Sequence, residues 1–455
     1  MNEITKKLPE PSSILIRDAR FVLVDGGYLS NKSVFVSDRK IVGVGDTEEL
    51  IRKNGTPEET IDASKCVVAP GLINNHSHIA MSLLRGFAED LPLLNWLRDK
   101  IWPAEAKLKP EDIHIGALIG CVESLLAGTT SITSVYFYHQ NGSEAQAVSE
   151  SGLRGVLAHG VFDWTGKEAL EKTREFVTHW HGHDYGRVRI ATSPHAPYSC
   201  SPALLKEVEE LREELNQKHG NDFRILNTLH VSEARNETQE IEERYKVSAK
   251  SGVADYLDKL GVLNSDTICA HSIHLTEEDL LSMKKTGSSI ASCPVSNLKV
   301  GMGIANIPRA LENGVAVSLG TDGPASNNSL DMFETMKMAS LLPKGVYGNT
   351  TLMPASKTFE IASLGGAKSL HLEHEIGSIA KDKKADLMLV DLSRVHSTPL
   401  YDPYNHLVFS AKSSDVRDVI VDGRLLVKER RVLHIDIAGL KDAASRAIER
   451  LGFAA

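Results

Sequence analysis

From Val67 onward short apolar runs alternate along the chain with longer stretches of helical period. Eight of the apolar runs predict β-strands: Gly71–His78, Thr129–Val135, Leu153–Val161, Arg187–Thr192, Arg224–His230, Thr267–His271, Ser288–Ser292 and Val315–Thr321. Helices are predicted between them, among them Glu111–Ala127, Pro202–Lys218, Thr276–Lys285 and Ile304–Asn313, and glycines at 128, 220, 287 and 314 mark their ends. Alternating strands and helices are the pattern of parallel βαβ units, and eight strands are the number that closes a (β/α)8 barrel. The flanks have a different texture. Ile14–Arg17, Arg20–Val24, Ser33–Ser37 and Lys40–Val44 read as strands, as do Ala385–Asp391, Asp415–Val421 and Leu425–Val427, with Asp25-Gly26-Gly27 and Asp422-Gly423 as turns. The expected architecture is therefore α/β: a TIM-like barrel over residues 70–372, and a small β-sandwich domain formed from both chain ends, 1–69 and 373–455, with a terminal helix.

A length of 455 residues suits one barrel with a satellite, and 42% hydrophobic with 24% charged residues excludes a disordered chain. The net charge of −9, with no basic cluster, argues against nucleic acid as a partner. The apolar run Ile14-Leu15-Ile16 stops at Arg17, too short for a leader or a membrane span. Five scattered cysteines without a C-x-x-C pair suit a reducing compartment, so a cytoplasmic protein is expected.

The candidate chemistry sits at strand ends. His76 and His78 close the first barrel strand, His230 the fifth and His271 the sixth, and Asp322 follows the eighth in Gly320-Thr321-Asp322-Gly323. Residues i and i+2 of a strand project from one face about 7 Å apart, so both rings of His76-Ser77-His78 can turn toward one ion. The C-terminal strand ends form the catalytic mouth of a barrel. A mixed imidazole and carboxylate set suits a catalytic divalent metal open to water, hence a hydrolase. Any one of 18 histidines is more often structural than a ligand; the joint placement carries the reading. The denser run His179-Trp180-His181-Gly182-His183 precedes the fourth strand, on the opposite face, and is expected at the surface. No lysine lies in residues 187–195, so one metal rather than a lysine-bridged pair is expected. His195 ends that strand and can donate to a substrate. Glu233, three residues after His230, can move a proton without being a ligand.

Several stretches carry a resemblance: Pro70–His78, Leu83–Leu93 through Trp96, Trp102-Pro103-Ala104-Glu105, Ser193–Ser201, His230–Glu233, His271–Leu275, Ser292–Asn297 and Leu319–Asn328 leading into Leu330–Glu334. With them the chain resembles the amidohydrolase superfamily, and within it the deaminases of S-adenosylhomocysteine and methylthioadenosine. The resemblance implies one divalent metal per chain, zinc with iron as the alternative, held by His76, His78, His230 and Asp322. It implies that Glu233 handles protons at purine N1, that His271 polarises the attacking water and that Asp322 doubles as its base. Trp96 would wall the nucleoside, Glu105 accept from the ribose hydroxyls and His195 contact the substrate. The expected partners are a small nucleoside and further copies of the chain in a homo-oligomer. After the third strand, members that favour S-adenosylhomocysteine can carry arginines; here His159 and Lys167 stand, with no arginine between Arg154 and Arg174. An uncharged 5′ substituent is expected. Guanine-type bases and triazines are the alternative substrates, and a non-catalytic scaffold is the rival class, disfavoured because no ligand is missing.

Overall fold

The computed structural model describes residues 4–91, 95–137, 142–220 and 223–453; Pro92 and Leu93 of the stretch quoted above lie outside them. Strands β1 (Ile14–Val24), β2 (Gly27–Ser37), β3 (Lys40–Gly45), β4 (Glu59–Asp62) and β5 (Cys66–Pro70) come first. The barrel strands follow: β6 (Leu72–Ser77), β7 (Thr129–Tyr136), β8 (Arg154–Val161), β9 (Val188–Pro194), β10 (Asn227–Val231), β11 (Thr267–His271), β12 (Ser289–Ser292) and β13 (Ala316–Leu319). The last four are β14 (Leu387–Asp391), β15 (Val416–Val421), β16 (Arg424–Lys428) and β17 (Arg431–Val432).

Strands β6 to β13 form one eight-stranded sheet in chain order, and each recorded ladder in it is parallel. Asp322 N–H donates to the His76 carbonyl at 2.9 Å, and the Asn74 side chain exchanges two hydrogen bonds with Thr321, at 2.7 and 3.0 Å, which brings the eighth strand against the first. Gly320 permits this approach: a Cβ there would stand 2.9 Å from the His76 backbone nitrogen. Both sheet faces are buried. Ile73, Val135, Val156, Ala158, Ala191 and Ile268 share one cluster, whereas Leu157, Val161, Ile190 and Leu229 join the cluster that includes the surrounding helices. Such two-sided burial is what a parallel sheet under helices requires.

The strands from the two chain ends join in one mixed nine-stranded sheet, ordered β17-β16-β15-β14-β5-β1-β2-β3 with β4 beside β1. Its core gathers Ile14, Val34, Val68, Leu387 and Ile420. The two strands expected over residues 14–24 are one strand, kinked between Ile16 and Ala19 where Asp18 takes φ 55°. The helix expected over Ile304–Asn313 begins later, at Ile307, because the Asn306 side chain caps it by accepting from Arg309 N–H at 3.2 Å. The terminal helix Ile437–Leu451 packs on Pro110–Leu126, with Arg450 paired to Asp112. Among the described residues no helix is long and apolar enough to cross a membrane.

Candidate metal centre

Every ligand candidate stands at or just past a strand end of the barrel. Three of these ends carry a left-handed residue that is not glycine: Ser232 after β10 (φ 51°), His271 with Ser272 at β11 (66° and 51°), and Asp322 after β13 (65°). Each such residue costs about 1–3 kcal/mol and persists only where surrounding contacts dictate it. Those contacts are visible. Ser272 N–H donates to the Val231 carbonyl at 3.0 Å, and Asp322 N–H is held by His76 as above. The kinks turn His271 and Asp322 toward the pair on β6.

His76, His78 and His230 place one ring nitrogen each within 4.8 Å of the others, and His76, His271 and Asp322 form a second such group. His76 belongs to both, so there is one centre. Its ring centroid lies 5.0 Å from His78, 4.9 Å from His230 and 5.2 Å from His271. Asp322 Oδ1 is 3.4 Å from His76 Nε2 and 3.2 Å from His78 Nε2. Carbonyl oxygens fix the tautomers from outside: Nδ1 of His78 donates to Val135 O (2.7 Å), that of His230 to His195 O (2.8 Å) and that of His271 to Asn297 Oδ1 (2.8 Å). A proton on Nδ1 leaves the Nε2 lone pair pointing inward, as a ligand needs. Asp322 is aimed in the same way. Its Oδ2 accepts from Ser296 and Ser326 hydroxyls, both at 2.6 Å, leaving Oδ1 to face the histidines.

The electrostatics suit a cation. Burial pushes His76 down to about 4, and burial with the neighbouring rings pushes His230 well below its ordinary value, so both are neutral donors. Burial alone would raise Asp322, but His76 and His78 hold it far below the carboxylate range. Burial lowers His78 as well, and its contact with Asp322 outweighs that, so the ring ends above its usual value. This spot therefore attracts positive charge. His76 Nδ1 is buried without a hydrogen-bond partner among the described residues. Neutral nitrogens converging on an ionised carboxylate fit a divalent metal.

Above the centre lies a pocket with a free volume of about 50 Å³. Trp96, Glu105, His195, Glu233 and His271 all line it, together with Trp102. Glu233 Oε1 is 3.7 Å from His271 Nε2, and burial raises its pKa. Glu105 is 1% exposed and burial lifts it to about 8, against the opposing pull of His78 and Tyr136. His195 Nδ1 is bonded to Ser199 Oγ at 2.7 Å, and burial holds its pKa near 3. Trp96 Nε1–H donates to the Ala88 carbonyl at 3.1 Å, which fixes the indole.

The amidohydrolase family model matches residues 67–426. The chain belongs to the amidohydrolase family. A 5′-deoxyadenosine deaminase of Methanosarcina acetivorans is 40% identical over 446 residues, 97% of this chain and 98% of the relative. A 5-methylthioadenosine/S-adenosylhomocysteine deaminase of Desulforudis audaxviator is 40% identical over 442 residues, 96% of this chain and 99% of the relative. Among solved structures, a zinc-bound adenosine deaminase from Xanthomonas campestris superposes with a TM-score of 0.90 at 32% identity, covering 98% of this chain and 100% of that one.

One expectation needs correction in this amidohydrolase. His181 is half-buried and structural rather than a surface residue: Nδ1 accepts from Ile190 N–H at 3.0 Å and Nε2 donates to Phe223 O at 2.8 Å. It does lie outside the pocket, before β9. His159 does not line the pocket either. With Val156 and Ala158 on one face of β8, alternation sends His159 to the other, where Lys172 and Glu168 of the helix Gly166–Trp180 act on it. Glu237, which opens the helix after β10, is 1% exposed and accepts Glu233 N–H at 2.8 Å. Sequence reasoning missed Ser296, Ser326 and Asn297, which aim Asp322 and His271, and gave Trp102 no role. The signal for the first two was their position just beyond β12 and β13, where hydroxyls meet the same mouth.

Proposed function

We propose that this amidohydrolase is a zinc-dependent deaminase that hydrolyses the exocyclic amine of an adenosine-type nucleoside, giving the inosine-type product and ammonia. The observation that carries this reading is one buried constellation: four inward-facing imidazoles and an ionised aspartate beneath a pocket that Glu233 and Glu105 also line. The two deaminases and the zinc-bound structure named above support the choice of substrate and metal. His76, His78, His230 and Asp322 are the residues that would hold the ion. When bound, it lowers the pKa of water toward about 7 and so supplies the nucleophile at neutral pH.

The chain's own groups do the rest. Asp322 Oδ1, kept free by the two serines on Oδ2, takes a proton from the attacking water. His271, with Nδ1 committed to Asn297, presents Nε2 to that water and orients it. Glu233 is favoured in its protonated form by burial and delivers that proton to purine N1 as oxygen adds to C6. Ammonia then leaves with the proton that Asp322 held, and the C6 hydroxyl gives its own to Glu233 as the carbonyl forms, which restores both carboxyl groups. Glu105 accepts from the ribose hydroxyls, and Trp96 and His195 wall the ring. A nucleoside panel scored for ammonia release, alongside metal content, tests the reading. About one tightly bound ion per chain with turnover of 5′-deoxyadenosine, methylthioadenosine or adenosine is expected. A loaded protein that spares all nucleosides but acts on guanine or an aminotriazine would refute it.

A further inference from the structure

We propose that Trp164, together with Trp102 and Phe162, forms the wall that receives the 5′ substituent of the substrate and selects uncharged, apolar groups there. The inference rests on the nucleoside-deaminase reading above and narrows it. Trp102 and Glu105 are three residues apart on one short helix, hence on one face, and both line the pocket. If Glu105 holds the ribose hydroxyls, the next surface a sugar substituent meets is Trp102. Trp102 lies 5.7 Å from Trp164 and 6.5 Å from Phe162, ring centroid to centroid. Phe162 stacks on Trp164 at 4.1 Å and 22°, and on His195 at 4.5 Å and 29°. Trp102 and His195 line the pocket itself; Phe162 packs behind them and Trp164 stands beyond the lining, 55% exposed, so the aromatic chain runs from beside the metal centre outward past the pocket's mouth.

The wall is rigid where it meets solvent. The turn that presents Trp164 is closed by Thr165: its hydroxyl accepts from Phe162 N–H and donates to Phe162 O, each at 2.9 Å, and its own N–H reaches the same carbonyl at 3.0 Å. The charged groups that line the pocket are Glu105, Glu233 and Asp322, and no lysine or arginine lines it among the described residues. A carboxylate carried by the substrate would be desolvated beside acids with no cation to meet it. A methylthio group instead buries on ring faces and gains sulfur–aromatic contact. The nearest cation on the same turn is Lys167, exposed and three residues beyond Trp164.

The test measures kcat/KM for adenosine, methylthioadenosine and S-adenosylhomocysteine with metal-loaded wild type, Trp164→Ala, Trp164→Arg and Lys167→Ala. Wild type should favour methylthioadenosine over S-adenosylhomocysteine by about tenfold or more, the discrimination typical of an apolar subsite. Trp164→Ala should cost methylthioadenosine about tenfold and adenosine under about threefold, since only the former reaches the wall. Trp164→Arg should narrow the gap in favour of S-adenosylhomocysteine, and Lys167→Ala should leave the ranking alone. Equal losses on all three substrates in Trp164→Ala, or a selective loss of S-adenosylhomocysteine in Lys167→Ala, would overturn the proposal while leaving the deaminase reading intact. Absence of ammonia release from every nucleoside by wild type would overturn both.

Discussion

Replacing Glu105 by Gln asks whether a charge at this position reads the sugar. The side chain is 1% exposed, and burial lifts its pKa to about 8 against the opposing pull of His78 and of a hydrogen bond from Tyr136. A vicinal diol donates to the ionised form. Glutamine keeps the shape and one acceptor but exchanges charge-assisted bonds for neutral ones, a loss of about 1–3 kcal/mol, or roughly 5- to 150-fold in kcat/KM. The sign of the pH effect follows from the raised pKa. Below it the carboxyl is protonated and accepts poorly, so kcat/KM for adenosine should rise with pH through a limb at or below about 8. A cation in the neighbouring centre favours the ionised form and moves that limb downward. The assay is kcat/KM against pH for adenosine and for 2′,3′-dideoxyadenosine, in wild type and Glu105→Gln. The limb and the loss should appear with adenosine and vanish with the analogue, which has no hydroxyls to hold. Equal losses on both substrates would refute the argument and return the free-base and triazine readings.

Glu233→Gln should abolish turnover while metal content stays near one per chain; a variant that loses its metal would make Glu233 a ligand. His230→Ala should lose metal and activity together because a coordinating imidazole is gone. His181→Ala should keep its metal yet melt earlier, since two backbone groups lose their partners at about 1–3 kcal/mol each when buried; metal loss there would contradict its placement outside the pocket. Ser296→Ala combined with Ser326→Ala frees Asp322 Oδ2 and should weaken metal affinity roughly 10- to 100-fold in a chelator competition, as loss of outer-shell partners commonly does. Unchanged affinity would show that Asp322 is aimed by something else.

The barrel was legible because its strands are buried on both faces and read as apolar runs between helical stretches. The clustering of His76, His78, His230, His271 and Asp322 was legible because they fall at the ends of those runs, where a barrel converges. What stayed hidden depends on proximity in space. Ser296 and Ser326 stand just beyond β12 and β13, yet only the folded barrel brings both hydroxyls to one carboxylate oxygen. Glu237 was masked by the charge run it opens; its burial follows from the sharp turn at Ser232, which folds the next helix back so that its carboxylate meets Glu233 N–H. His159 could have been placed from sequence, because the alternation along β8 already sets it opposite Val156 and Ala158. Thr47–Asn54 forms a helix in the first flank with only Leu50 buried, too weak an apolar face to stand out.

A single residue, Gly71, separates β5 in the small sheet from β6, the strand that ends in His76. A Cβ there would stand 2.1 Å from the Thr130 side chain, so the crossing from one sheet to the other is tight. One edge of β5 pairs with β14, from Leu387 with Pro70 to Asp391 with Cys66. On the ribosome this edge therefore waits bare until the chain has been made past Asp391. Translation completes the whole barrel, Asp322 included, while the strand feeding its first histidine is still open to pairing with a neighbouring nascent chain. A message truncated after the barrel would encode His76, His78, His230 and Asp322 and still leave this edge of β5 open to pairing with another chain.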